Sequence, residues 1–384
     1  MSCLTPEQIA IKEATKEFVA KNIIPQADKY DKSGEFHPYI VEAAKASKIF
    51  AMSIPKEYGG LGYDWLTQAL VLEEWGYGCA GMGTTIAVNA LALNPVTVAG
   101  TDAQKKHFFE PILKGELASF GLTEPAAGSD VGGNKSSAVK AGDEYILNGT
   151  KCWITNGGYA TRFTIFAKTD PNAGTKGLSA FLVDSDFPGF SIGTVDHKLG
   201  ISSSSTVELL LKDVHVPAAN LLGKEGDGMK IAMKSLDKAR PAIAALSVGL
   251  AQRALDECVK HIQKRFPGKP SAGQALQFKL ADMQVQIEAA RACLYEAMRM
   301  RDAGIPFESA ICKTFCSDVA MQVTATAVSL MGSYGYTKLG KYMRDAKIMQ
   351  VYEGTNQIQR LVIARGVLAP APAPAVLAAQ KAGR

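Results

Sequence analysis

The hydrophobic period of this 384-residue chain changes twice, near Ala118 and again near Gly226. Before the first break, apolar residues recur at helical spacing. Ile9, Ile11, Phe18, Val19 and Ile23 predict one apolar face, with Thr5 as its cap and Pro6 at the first helical position. Residues 39–47, 65–77, 82–93 and 102–113 read as further helices, with Gly59-Gly60-Leu61-Gly62 as a turn between them. From 118 to 216 the chain alternates and is rich in β-branched residues. Tyr145-Ile146-Leu147 runs into Asn148-Gly149, the strongest short hairpin signal, and on into 151–155. Residues 162–168, 178–183 and 207–211 are three more strand candidates. Beyond Gly226, 229–264, 274–303, 308–331 and 342–350 read as amphipathic helices, and Ala369–Ala375 as an extended tail. The expected fold is mainly α with a central β domain. It has an N-terminal helical domain (1–118), a middle antiparallel β domain (119–224) and a C-terminal four-helix bundle with a mobile tail (225–384). No strand, glycine-rich turn and helix follow one another, so the pattern holds no dinucleotide-binding unit of the doubly wound kind.

Charge excludes some functions. Lys+Arg is 42 and Asp+Glu 37, a net +5, too mild for a nucleic-acid-binding chain and compatible with an anionic ligand. Seven dispersed cysteines do not form a disulfide framework, which points to a reducing compartment. Cys312 and Cys316, four apart on a predicted helix, read as packed thiols, and neither they nor the histidines have metal spacing. Residues 79–100 are uncharged and long enough to span a bilayer, but Gly81, Gly83, Asn89, Asn94 and Pro95 fit a buried helix better. The N-terminal residues contain no apolar signal segment, which suggests a cytoplasmic protein in a bacterium or a matrix protein in a mitochondrion.

One stretch carries candidate chemistry. In Tyr352-Glu353-Gly354-Thr355-Asn356 a carboxylate sits on a turn entering a helix, with Thr355 or Asn356 as its cap. Apolar Met349, Val351 and Tyr352 flank Glu353. Desolvation would raise its pKa from about 4.3 towards neutrality, which suits a general base. The alternative is an ordinary surface glutamate at a helix entry.

The run YEGTNQIQR resembles the C-terminal signature of the acyl-CoA dehydrogenase family. LTEPAAGSD (122–130) and WITNG (153–157) resemble two further signatures of that family, in the same order, and the similarity runs from about residue 5 to 366. The resemblance implies the acyl-CoA dehydrogenase fold and an FAD-dependent α,β-dehydrogenation of an acyl-CoA, with electrons passed to an electron-transfer flavoprotein by a homotetramer. It implies Glu353 as the base, its own backbone N–H being one donor to the thioester oxygen. It implies flavin contacts at Leu122, Thr123, Ser129, Trp153, Thr155, Arg265, Phe266, Gly332, Thr355 and Gln357. Substrate contacts would fall at Ser129, Asp237, Arg240, Tyr352 and Gly354, with 84–93 and the turn 332–336 lining the acyl pocket. Taken singly, Trp153 could equally be a core residue, Thr123 and Thr155 strand residues, and Arg240 an intrahelical partner of Asp237.

The sequence also departs from the family. Ala239 stands where some branches place the base, which favours Glu353. Gln263 replaces a frequent arginine, for which Arg265 could substitute; Ser329 replaces a frequent glutamine, and Ser202 an arginine. Three other readings stay open: a dehydrogenase of cyclic (cyclohexanecarboxyl-CoA-like) or branched acyl-CoA, a flavin oxidase or monooxygenase on the same scaffold, and a non-enzymatic binding protein.

Overall fold

The computed structural model describes residues 4–267, 273–305 and 308–369, so the Ala/Pro run from 370 onward lies outside them. Six helices open the chain: α1 Pro6–Asn22, α2 Ile24–Ser33, α3 Tyr39–Ala46, α4 Trp65–Gly78, α5 Ala80–Ala99 and α6 Asp102–Leu113. Thr5 caps α1 in a reciprocal box with Gln8, with Pro6 in the first turn as expected. Val19 and Ile23 are buried, but Ile9 is 46 % exposed and lies off the packed face. The α2 helix was not expected; it starts directly after α1, with Pro25 in its first turn, where proline is tolerated. The α5 helix is long and apolar enough to cross a membrane, and most of it is buried inside the fold.

Eight strands follow: β1 Leu117–Gly121, β2 Ser137–Ala141, β3 Glu144–Thr155, β4 Ala160–Lys168, β5 Leu178–Asp184, β6 Phe190–Val195, β7 Thr206–Pro217 and β8 Leu221–Leu222. They form one sheet in the order β6-β7-β3-β2-β4-β5-β8, with β1 also on β4. The sheet is not wholly antiparallel, since β1 and β2 each pair with β4 in parallel. Asn148-Gly149 is not a hairpin turn. The turn lies between Ala141 and Glu144, and β3 runs through Asn148-Gly149 with a register shift against β7. The Asn148 carboxamide donates to Asp213 Oδ1 at 2.9 Å and accepts from the Asp213 N–H at 2.9 Å. That reciprocal pairing with β7 outweighs the local turn preference. Gly149 is needed for closeness: a Cβ there would meet Ser136 Oγ at 2.2 Å.

The remaining helices are α7 Gly228–Arg265, α8 Gln274–Asp302, α9 Ser309–Tyr334, α10 Gly340–Met349 and α11 Asn356–Leu368. The α8 helix runs antiparallel to α7, with Arg301 bound to Asp237 and Arg291 to Gln252. The α9 helix runs the same way as α7, with Ser309 near Arg240 and Tyr334 stacked on His261 at 3.8 Å. The α4 helix lies along the same group, its Trp65 under the Arg301 guanidinium and its Tyr77 donating to Asp256. One apolar core runs through both sets of helices and into the sheet.

Candidate active site

Helix α5 joins the sheet to the turn that carries Glu353. Thr85 at its start accepts on its carbonyl from Asn156 Nδ2 at 3.0 Å, and Asn156 follows directly on β3. One residue earlier, Thr84 Oγ1 lies 3.3 Å from Tyr352 Oη. The end of β3 and the turn before α11 therefore meet across one helical turn.

At the sheet end, β3 is bulged between Lys151 and Ile154 and Trp153 has φ +56°. A tryptophan in the left-handed region is strained and persists only where the surroundings force it. The bulge turns the indole outward, and it is 60 % exposed. Beside it, the Thr123 carbonyl accepts from the Cys152 N–H at 3.0 Å, so the 122–124 segment runs next to Trp153. Glu124 pins that segment: it accepts from Lys151 Nζ at 2.6 Å and from the N–H groups of Lys135 and Ser136. Burial alone would push its carboxyl up, but the Lys151 ammonium and these donors hold it below its ordinary value. Leu122 is a core side chain whose carbonyl is taken by Asn134 and Lys151, while Ser129 lies exposed on the loop beyond. The Thr155 carbonyl accepts from Ser119 Oγ. Ser202 sits in a loop docked on α10, where the Ile201 N–H donates to Asp345 and Arg344 donates to the Leu199 carbonyl.

At the turn, Glu353 has φ +56° and Gly354 φ +86°. Glycine suits that left-handed φ at 354, and a Cβ there would also push against Gln359 Nε2 at 2.5 Å. That same Nε2 donates to the carbonyls of Glu353 and Gly354 at 2.9 and 3.0 Å. Thr355 is the helix cap, accepting from the Ile358 N–H. Asn356 points inward to Ser317 and Asp318. Glu353 Oε2 is buried with no hydrogen-bond partner among the described residues. Burial pushes its carboxyl up to about 7, against the opposing Lys313 ammonium and Arg240 guanidinium. Arg240 is buried on α7, 3.4 Å from Glu308 and 3.8 Å from Asp237, so its pairing extends beyond its own helix. Asp237 itself binds Arg301 and Ser309.

The other candidates lie elsewhere. Arg265 and Phe266 end α7, 25 residues beyond Arg240, or about 38 Å along a helix. Gly332, at φ +55°, breaks α9 just before Tyr334, which stacks on His261. The turn 332–336 thus belongs with the far end of α7 and not with an acyl pocket beside Glu353. Thr355 and Gln357 line one surface cleft with Lys347 and Arg360. Sequence reasoning missed Lys313, whose ammonium is buried beneath the Glu353 turn. A signal existed, since it is the only charge between Glu308 and Asp318.

Three family models tile the chain: acyl-CoA dehydrogenase N-terminal domain over residues 5–116, middle domain over 119–214 and C-terminal domain over 226–368. This chain belongs to the acyl-CoA dehydrogenase family. It is 42 % identical over 369 residues to the short-chain specific acyl-CoA dehydrogenase of Clostridium acetobutylicum, covering 94 % of this chain and 97 % of that one. Butyryl-CoA dehydrogenase from Megasphaera elsdenii superposes with a TM-score of 0.92 at 41 % identity, over 95 % of this chain and 99 % of that one. A chain in a structure of the electron transferring flavoprotein of Acidaminococcus fermentans gives a TM-score of 0.92 at 42 % identity, over 96 % of this chain and 99 % of that one. The chain is accordingly an oxidoreductase acting on a CH–CH bond of acyl-CoA, with FAD as cofactor. The residues present fit a flavin: an outward indole on a strained bulge, flanked by Thr123 and Thr155, gives a flat ring a face and polar edges.

Proposed function

We propose that this chain removes the α and β hydrogens of a short-chain acyl-CoA, with Glu353 as the base. The observation that carries this is the unpartnered, desolvated Oε2 of Glu353, raised to about 7, one helical turn of α5 away from the Trp153 platform. A base of that pKa is about half ionised at neutrality and still holds a proton well once it takes one. When bound, FAD supplies the hydride acceptor that no side chain can provide. The Glu353 N–H donates to the thioester oxygen where negative charge develops, as in an oxyanion hole. Trp153 covers the ring and excludes water, Thr123, Ser129 and Thr155 bond its polar edge, and Asp237 and Arg240 meet the CoA moiety.

The acyl chain passes Tyr352 and Thr84 into a cavity of about 90 Å³ lined by Ala87, Ala90, Leu91, Ala239 and Ala242. Trp65 and Met298 wall it further on. The small size of that cavity suits a short acyl chain. Electrons then pass to an electron-transfer flavoprotein in the cytoplasm. The separation of Arg265, Phe266 and Gly332 from Arg240 supports a homotetramer in which these residues meet a neighbour's flavin. Anaerobic mixing with butyryl-CoA should bleach the flavin, and electron-transfer flavoprotein should restore the colour faster than air. A flavin unreduced by any short straight-chain acyl-CoA overturns the substrate assignment, and faster recovery in air points to an oxidase.

A further inference from the structure

Lys313 has no part in the chemistry above, yet its side chain is fully enclosed, at 0 % exposure. Its Nζ donates to the Gly354 carbonyl at 2.9 Å and to Asn356 Oδ1 at 2.8 Å. Both partners are neutral oxygens. Burying an ammonium against neutral oxygens is costly, so the position calls for a compensating role. The turn above it holds two consecutive residues at positive φ, one of them Glu353. Gln359 already bonds both carbonyls of that turn. What a lysine adds is charge.

The charged groups around it are few. On α7, Arg240 faces Glu353 but is engaged with Glu308 and Asp237. On α9, Asp318 faces Lys313 but is bound by Arg360 at 2.7 Å and by Gln350. Tyr352 donates to Met349 Sδ and meets Thr84. Among the described residues Lys313 is the larger of the two cationic influences on Glu353, and the one whose own hydrogen bonds go only to neutral oxygens.

We propose that Lys313 is a positioning residue for proton abstraction: from beneath the turn it pins Gly354 and Asn356, holds Glu353 in its left-handed conformation, and stabilises the ionised carboxylate. The proposal rests on Glu353 being the base. Burial pushes the Lys313 ammonium itself down to about 8, with Glu353 and Asp318 opposing. The Glu353 carboxylate in turn favours the charged ammonium, so each group supports the ionised form of the other.

The sign of the expected effect is fixed. Removing the cation removes what favours ionised Glu353, so the Glu353 pKa rises and the ascending limb of flavin reduction moves to higher pH. Lys313→Met removes charge and pin, whereas Lys313→Gln removes the charge and keeps a donor. With FAD-loaded variants, butyryl-CoA and anaerobic stopped flow, both limbs should move up by about one unit. The plateau rate should fall about tenfold in Lys313→Met and less in Lys313→Gln. An infrared titration of the Glu353 carboxyl band, assigned by its loss in Glu353→Gln, should show the same shift without turnover. Either variant, folded and loaded, that titrates at the wild-type pH overturns the proposal, even if its rate has fallen, because loosened packing alone lowers a rate. If Glu353→Gln still reduces its flavin, the base assignment fails instead, while the infrared shift continues to test Lys313.

Discussion

At its Arg240 end α7 is walled in; at its Arg265 end it is open. The first end faces α8 and α9 through Arg301, Ser309 and Glu308, near the buried Glu353 carboxylate. The second ends in a half-open Phe266 with the Arg265 guanidinium over its ring, beside the Gly332 break. Gln263 and Ser329, where the resemblance implies an arginine and a glutamine, both stand at the second end. Under the proposed function, one chain holds all of its own acid–base groups at the walled-in end, and the open end is the place where contacts from outside the chain would reach a flavin.

The hardest test of that division is Glu353→Gln. Flavin reduction should fall by about 10²–10⁴-fold or more in stopped flow, while FAD content stays unchanged. The same variant carries a stability signature. The folded pKa of Glu353, about 7, lies above its ordinary 4.5, so its contribution is full below 4.5 and is lost as pH rises through 7. Glu353→Gln should therefore gain thermal stability over the parent above pH 7, on the order of 2 kcal/mol at about 1.4 kcal/mol per unit less the cost of a buried amide, and lose that gain in acid. Loss of FAD along with activity would mean that the two ends are not separate.

Trp153→Ala should weaken FAD binding about tenfold, from a lost aromatic contact of about 0.5–1.5 kcal/mol, measured by fluorescence titration. Its fold should suffer within about 0.5 kcal/mol, since the indole is already largely exposed. A large drop in melting temperature would make Trp153 a packing residue instead. The smallest effect is at the open end. Gln263→Arg should slow FAD loss on dilution about fivefold, from about 1 kcal/mol for one added solvent-exposed hydrogen bond, and leave flavin reduction untouched. A changed reduction rate would join the two ends; no change in dissociation would mean that Arg265 already supplies the contact.

Much of this was legible in the residues. Thr5 and Pro6 announce α1, the 3.6-residue pattern from 102 to 113 coincides with α6, and the apolar neighbours of Glu353 foretell its desolvation. The errors share a cause. Asn148-Gly149 carries turn chemistry, but a partner 65 residues away decides its conformation. Ile9 fits an apolar face by spacing and finds nothing there to bury it. Lys313 is set apart in sequence only as the lone charge between Glu308 and Asp318, and what it meets is fixed once α9 is placed under the turn. Each is a case where tertiary contact overrides local preference, which sequence periodicity cannot register.

The same asparagines have a bearing on chemical ageing. A glycine amide following asparagine can attack its side chain, a slow loss to which flexible Asn-Gly pairs are prone and which makes asparagine a thermolabile residue. The chain has two such pairs, at 148–149 and 156–157. Asn148 is clamped to Asp213 from both its oxygen and its nitrogen, and Asn156 Nδ2 is shared between the carbonyls of Thr85 and Ala118. Neither carboxamide can swing onto the following nitrogen while the sheet is intact. Damage at both places is therefore timed by how often the sheet opens, not by elapsed hours, and two fragile dipeptides become as durable as the fold that holds them.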